Sequence, residues 1–77
     1  MPGRNQVLSD GQREVIRQLA EGTNLKTVAA DLAISESAVK ARLVHARVRM
    51  GARNTVQLVA MAVSQGLVSP QFEAEAS

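Results

Sequence analysis

Six long cations stand close together in this chain: Lys26, Lys40, Arg42, Arg47, Arg49 and Arg53. No acid interrupts the stretch from Val39 to Arg53. Ammonium and guanidinium groups without neutralising carboxylates are suited to holding phosphates, and a helix face lined with them suits a polyanion. A reactive centre is not spelled out. The sequence offers no pair of carboxylates placed for acid–base work, no nucleophile grouped with a histidine and an acid, and no glycine-rich phosphate loop. Cysteine is missing altogether, which excludes disulfides and thiolate metal sites. The one histidine, His45, is too little for a zinc site built on histidine pairs. No catalytic residue, metal or cofactor is expected, and the chain reads as a binding module, not an enzyme.

The elements that must position these cations fit into one small domain of 77 residues. A domain this short buries only about 60% of its unfolded surface, so its core is marginal. Without disulfide or metal, self-association is a common source of further stability. No apolar run approaches the roughly 20 residues of a membrane span, and the N-terminus has no signal-peptide core. The expected setting is therefore the cytoplasm, with no membrane partner. Net charge is only +2, yet all nine Lys and Arg lie at or before Arg53, while Glu73 and Glu75 close an acidic tail. Such asymmetry points to nucleic acid. Phe72 is the only aromatic, which argues against a stacking platform for single-stranded nucleic acid.

Taken in order, residues 1–8 form an arm without apolar period, with Leu8 as a possible staple at its end. A first helix is predicted over about 10–21, because Ser9 and Gln12 make a capping box and Val15, Ile16, Leu19 and Ala20 share a face; Gly22 follows as terminator. A second helix is predicted over about 25–32, capped by Asn24, with Leu25, Val28, Ala29 and Leu32 facing inward. Only Ala33, Ile34 and Ser35 separate it from the third, which is the turn length of a helix-turn-helix unit. Glycine is favoured in such turns, so Ala33 costs on the order of 1 kcal/mol wherever its φ is positive. The third helix runs from the Ser35 cap to Met50 and is stopped by Gly51. At about 100° per residue, Val39, Leu43, Ala46 and Met50 form its inward seam. Ser37, Ala41, Val44 and Val48 face outward, flanked by Lys40 and Arg47 on one side and by Arg42, His45 and Arg49 on the other. A fourth helix is predicted over about 55–65, capped by Asn54 and closed by Gly66. It is apolar on nearly every side, and the surplus beyond one core stripe needs another partner, read as a second copy of the chain, with core under the N-terminal arm as the other reading. Leu67 and Val68 return to the core, Pro70 prevents continuation, and residues 69–77 read as an acidic disordered tail. The fold class is all-α, four helices with a helix-turn-helix, in a unit spanning residues 9–68.

A helix fits the major groove with its N-terminal half at the base edges. Lys40 is placed for a guanine O6/N7 edge or a phosphate, while Ala41 and Val44 project at the groove floor, where thymine methyls lie. Arg42, Arg47, Arg49 and Arg53 suit phosphates on the groove walls, with His45 beside them. Lys26, at the start of the second helix with its free amides, suits the opposite wall.

Three motifs together resemble the LuxR/GerE-type DNA-binding domain: LSDGQREVIRQLAEG, VAADLAISESAVKARL and MGARNTVQLVAMAVSQGL. The likeness covers roughly Leu8 to Val68. It implies a four-helix domain with the third helix as recognition helix. It implies base contacts at Lys40, Ala41 and Val44, and phosphate contacts from the start of the second helix, from Ser35 and Ser37, and from the basic residues before the fourth. It also implies a homodimer through the fourth helix at Val56, Ala60 and Val63. Several positions depart from the family's pattern. Leu25 stands where Asn is frequent, Thr27 for Glu, Ala33 for Gly, Ala38 for Thr, and Val44 for a polar or basic reader. Ala38 lacks a hydroxyl for phosphate, and Val44 exchanges a hydrogen-bonding reader for a methyl reader. The chain resembles the short stand-alone members. The expectation is a bacterial, nucleoid-associated transcription regulator controlled by its expression level, a partner or promoter architecture.

Two other readings stay open at this stage. SAVKARLVHARVRM also looks like the promoter-reading helix of sigma-factor region 4, which would make RNA polymerase the partner; the apolar fourth helix speaks against it. A helical adaptor that binds another regulator is the second, kept open by the acidic tail and the altered reader positions.

Overall fold

Each helix begins at a side chain that accepts a hydrogen bond from its first turn. A computed structural model of the chain describes residues 7–71. It has four α-helices, α1 Asp10–Ala20, α2 Leu25–Leu32, α3 Glu36–Met50 and α4 Thr55–Ser64, and no strand among the described residues. At α1, Ser9 Oγ accepts from Gln12 N at 3.1 Å and Gln12 Oε1 accepts from Ser9 N at 2.9 Å. This reciprocal pair satisfies two amides that the helix itself leaves open. Asn24, Ser35 and Asn54 cap α2, α3 and α4 by accepting from Thr27 N, Ala38 N and Gln57 N. At α4 the returning glutamine reaches one residue further back, since Gln57 Oε1 accepts from Arg53 N at 2.6 Å. The helices close slightly earlier than their sequence pattern extends: Glu21 and Gln65 end α1 and α4 as caps and are not part of them.

The three-residue turn from α2 to α3 holds the one non-glycine residue with positive φ among those described, Ala33 at φ 58°. Ala33 N donates to Ala30 O at 3.2 Å, and Ile34 N donates to Ala29 O at 3.0 Å. That pairing consumes two carbonyls of the last turn of α2 and requires the left-handed residue between them. An L-residue held there costs about 1–2 kcal/mol. Partial burial of Ile34 against the core offsets it, because fully burying such a side chain contributes about 1.5–3 kcal/mol.

One core joins all four helices and the segments outside them. Val15 and Ile16 of α1, Val28 of α2, Val39 and Ala46 of α3, and Leu58 and Ala62 of α4 have no exposed surface. Leu8 is 2% exposed and Val68 is 6% exposed. Leu8, at the end of the expected arm, packs with the core. The arm's remaining residues 1–6 lie outside the described residues. Beyond the core, the amide of Gln71 donates to Glu21 Oε2 at 2.7 Å. The tail's residues 72–77 lie outside the described residues.

A polar seam ties α1 to α2. Gln18 is 6% exposed. Its Nε2 donates both hydrogens, to Glu14 Oε2 and to Asp31 Oδ2, each at 2.9 Å. Arg17 pairs with Glu14 and with Glu21, the latter at 2.8 Å. The hydrogen bond from Arg17, reinforced by the one from Gln18, holds the Glu14 carboxyl below its ordinary value, and the two glutamates raise the Arg17 guanidinium. Nothing in the spacing of these residues announced the seam, because Gln18 reads as a surface residue until α2 is laid beside it.

Two outcomes are expected. Ala33→Gly removes the strain but loosens the unfolded chain, and should raise stability by about 0.5–1 kcal/mol in urea denaturation; no gain would mean that the strain does not exceed the freedom glycine adds to the unfolded chain. Glu14 has a lowered folded pKa, so its contribution is present above the ordinary glutamate value of 4.5 and is lost as pH falls through the folded value. The pair is partly exposed and contributes at most about 1 kcal/mol. Between about pH 5 and pH 3 the urea midpoint of the parent chain should fall more steeply than that of Glu14→Gln; parallel curves would refute the coupling.

Candidate nucleic-acid interface

At 1.5 Å per residue, the 15 residues of α3 make a rod of about 22 Å. Its inward seam is set by Val39, Leu43 and Ala46, all buried, with Met50 half-buried at the end. Packing of this seam against α1, α2 and α4 leaves the opposite side to solvent. Ser37, Lys40, Ala41, Val44, His45, Val48 and Arg49 are all exposed. The only acid of α3 is Glu36 in its first turn, where it suits the positive end of the helix dipole.

The cations of α3 fall into two groups that the sequence did not separate. Lys40 and Arg49 are exposed, whereas Arg42 and Arg47 are half-buried. The Arg42 guanidinium lies against Gly11 near the start of α1; a Cβ at Gly11 would stand 3.1 Å from its Nη1. Arg47 Nη1 donates to Arg53 O at 3.4 Å, a long bond across the α3–α4 turn. Helical spacing gives the reason for Arg42. It precedes Leu43 by one residue and Ala46 by four, so it borders the inward seam and leans over α1.

Around α3 stand the other candidates. Ser35 is exposed, and its Oγ accepts from Ala38 N at 3.0 Å. Its hydroxyl hydrogen remains able to donate to a phosphate. Lys26 is exposed on the first turn of α2. Asn24 takes the Thr27 amide there, while the amides of Leu25 and Lys26 precede any helical partner. Arg53 is exposed in the turn before α4. On α4, Val56 is 79% and Val63 40% exposed, with Ala60 exposed between them. At spacings of four and three residues, these three side chains form one stripe. Val56 and Ala60 border a shallow, mostly apolar groove of about 390 Å³, lined also by Leu19, Thr55 and Val59.

The arrangement is a helix-turn-helix with a cationic, acid-poor outer face. The family model for bacterial regulatory proteins of the luxR family, GerE, matches residues 6–62. The chain belongs to the LuxR family. Its domain is that of a DNA-binding transcription regulator. No curated protein matches the chain. The LuxR-type match implies DNA binding, and the outer face of α3 offers cations and methyl groups. No helix among the described residues is long and apolar enough to cross a membrane.

Proposed function

We propose that this LuxR-family chain is a sequence-specific regulator that binds double-stranded DNA as a homodimer, with α3 in the major groove and α4 joining the two copies. The observation that carries this reading is the outer face of α3. It exposes Lys40 and Arg49 around a centre of small and apolar side chains, with Glu36 at its head as the only acid. A protein partner would gain little from cations without counter-charges, whereas a duplex presents phosphates on both walls of a groove that a helix fills.

In this reading Lys40 reaches a guanine O6/N7 edge, and Ala41 and Val44 lie at the groove floor. Lys26 and the free amides of α2 hold phosphates on one wall. Ser35, Ser37, His45, Arg49 and Arg53 hold those on the other side. Arg42 and Arg47 join them by extending from Gly11 and from the Arg53 carbonyl. The regulator works in the bacterial cytoplasm at the nucleoid, with no cofactor. Two-fold pairing through Val56, Ala60 and Val63 places two recognition helices on two half-sites, which matches the symmetry of operators read by helix-turn-helix dimers.

The test begins with selection of bound duplexes from a random pool, followed by fluorescence anisotropy on a selected site. Lys40→Ala should cost about 1–3 kcal/mol of specific binding and relax preference at one base pair. Unchanged affinity and selectivity would remove α3 from the groove. Val56→Glu should leave helical content and melting intact, because the side chain is 79% exposed, while light scattering reports monomers. An unchanged dimer mass would exclude the α4 stripe as the interface.

A further inference from the structure

The outer face of α3 carries more apolar surface than a solvated helix has use for. Val44 is 47% exposed and Val48 is 73% exposed, and Ala41 is exposed on the same side. These positions contribute nothing to the core, and valine is a poorer helix former than alanine or lysine, by up to about 0.7 kcal/mol per residue. The stripe therefore exists for an occupant. Charge complementarity identifies it: the exposed cations Lys40, Arg49 and Arg53 stand around the stripe, no acid lies between Ser37 and Gln71, and the occupant must be anionic outside and apolar where the stripe touches. The major groove of DNA meets both demands, since its walls are phosphate and its floor carries the C5-methyl groups of pyrimidines.

We propose that Ala41, Val44 and Val48 read C5-methyl groups and nothing else, so that the protein treats 5-methylcytosine as thymine, and uracil as cytosine, at the positions they touch. The chemistry follows from what these side chains lack. Thymine and cytosine differ in the groove in two respects, an O4 acceptor against an N4 donor, and a methyl against a hydrogen. Valine and alanine have no donor or acceptor for the first difference. They sense only the second. The three residues extend over about 10.5 Å at 1.5 Å rise per residue, which spans about three base-pair steps of 3.4 Å. This inference rests on α3 lying in the groove. It adds the feature that α3 recognises there, and it makes binding responsive to cytosine methylation.

The experiment uses the full chain and four random duplex pools, built with thymine or uracil and with cytosine or 5-methylcytosine. The thymine pool should enrich thymine at up to three neighbouring positions. The pool holding uracil and 5-methylcytosine should enrich 5-methylcytosine at the same positions. On a selected duplex, each thymine-to-uracil exchange should weaken binding about fourfold, the equivalent of about 0.8 kcal/mol for one buried methyl, and 5-methylcytosine should restore it. Val44→Ser and Val48→Ser should each abolish the methyl effect at one position while leaving the others. Uracil duplexes bound as tightly as thymine duplexes overturn the proposal while α3 stays in the groove. Failure to bind any duplex overturns the DNA-binding reading itself, and methyl reading with it.

Discussion

Ala33, Ile34 and Ser35 carry the chain from α2 into α3, and each outward side chain of α3 takes its direction from them. The turn works because three small events coincide. Ala33 adopts a left-handed backbone at φ 58°, Ile34 packs on the core, and the Ser35 hydroxyl closes the first turn of α3. Any one of them alone is weak. Together they set where α3 starts, and a helix started one residue later would rotate its faces by about 100°. That rotation would replace Ala41, Val44 and Val48 with a different set of side chains. The alanine is tolerated because Ile34 and two satisfied carbonyls of α2 contribute at least as much as the strain costs.

Much of this was legible in the residues alone. The four helices, their caps at Ser9, Asn24, Ser35 and Asn54, and the stops at Gly51 and Gly66 each rest on a local rule that the structure obeys. The inward seam of α3 was readable from period alone. What the residues did not disclose depends on contacts between elements distant in sequence. Gln18 becomes a buried donor only when Asp31 of α2 lies opposite. Gln71 is held only because Glu21 ends α1 beside it. Leu8 reads as the end of an arm, yet it packs into a core that residues near Leu58 and Val68 complete. Arg42 and Arg47 read as free phosphate candidates on the two flanks of α3, and these long side chains bordering a buried seam instead fold over their neighbours.

This partition of the cations shapes how the candidate interface would work. Phosphate contacts position a protein on the duplex without telling one sequence from another. Lys40, Arg49 and Arg53 are available for that role as they stand, while Arg42 and Arg47 must leave intramolecular contacts first. Those contacts are weak, a 3.4 Å bond in one case and packing on a glycine in the other. In the proposed complex their weakness would keep the cost of releasing the two guanidinium groups small.

A methyl-reading stripe makes the fourth helix more than a stabilising device. Three buried methyls at about 0.8 kcal/mol each supply only about 2.4 kcal/mol of discrimination per half-site. Helix-turn-helix regulators separate specific from non-specific DNA by about 4–10 kcal/mol. One copy of α3 reading methyls falls short of that range unless Lys40 adds a full base contact. Two copies on one duplex sum their terms, and about 5 kcal/mol from methyls alone then enters it. In the proposed dimer, the apolar stripe of α4, with Val56 at 79% exposure, would bring in the second reading helix. If methyl contacts supply most of the base reading, the proposed pairing would supply much of the selectivity, which should then fall with the dimer while the salt-dependent hold on phosphates persists per copy.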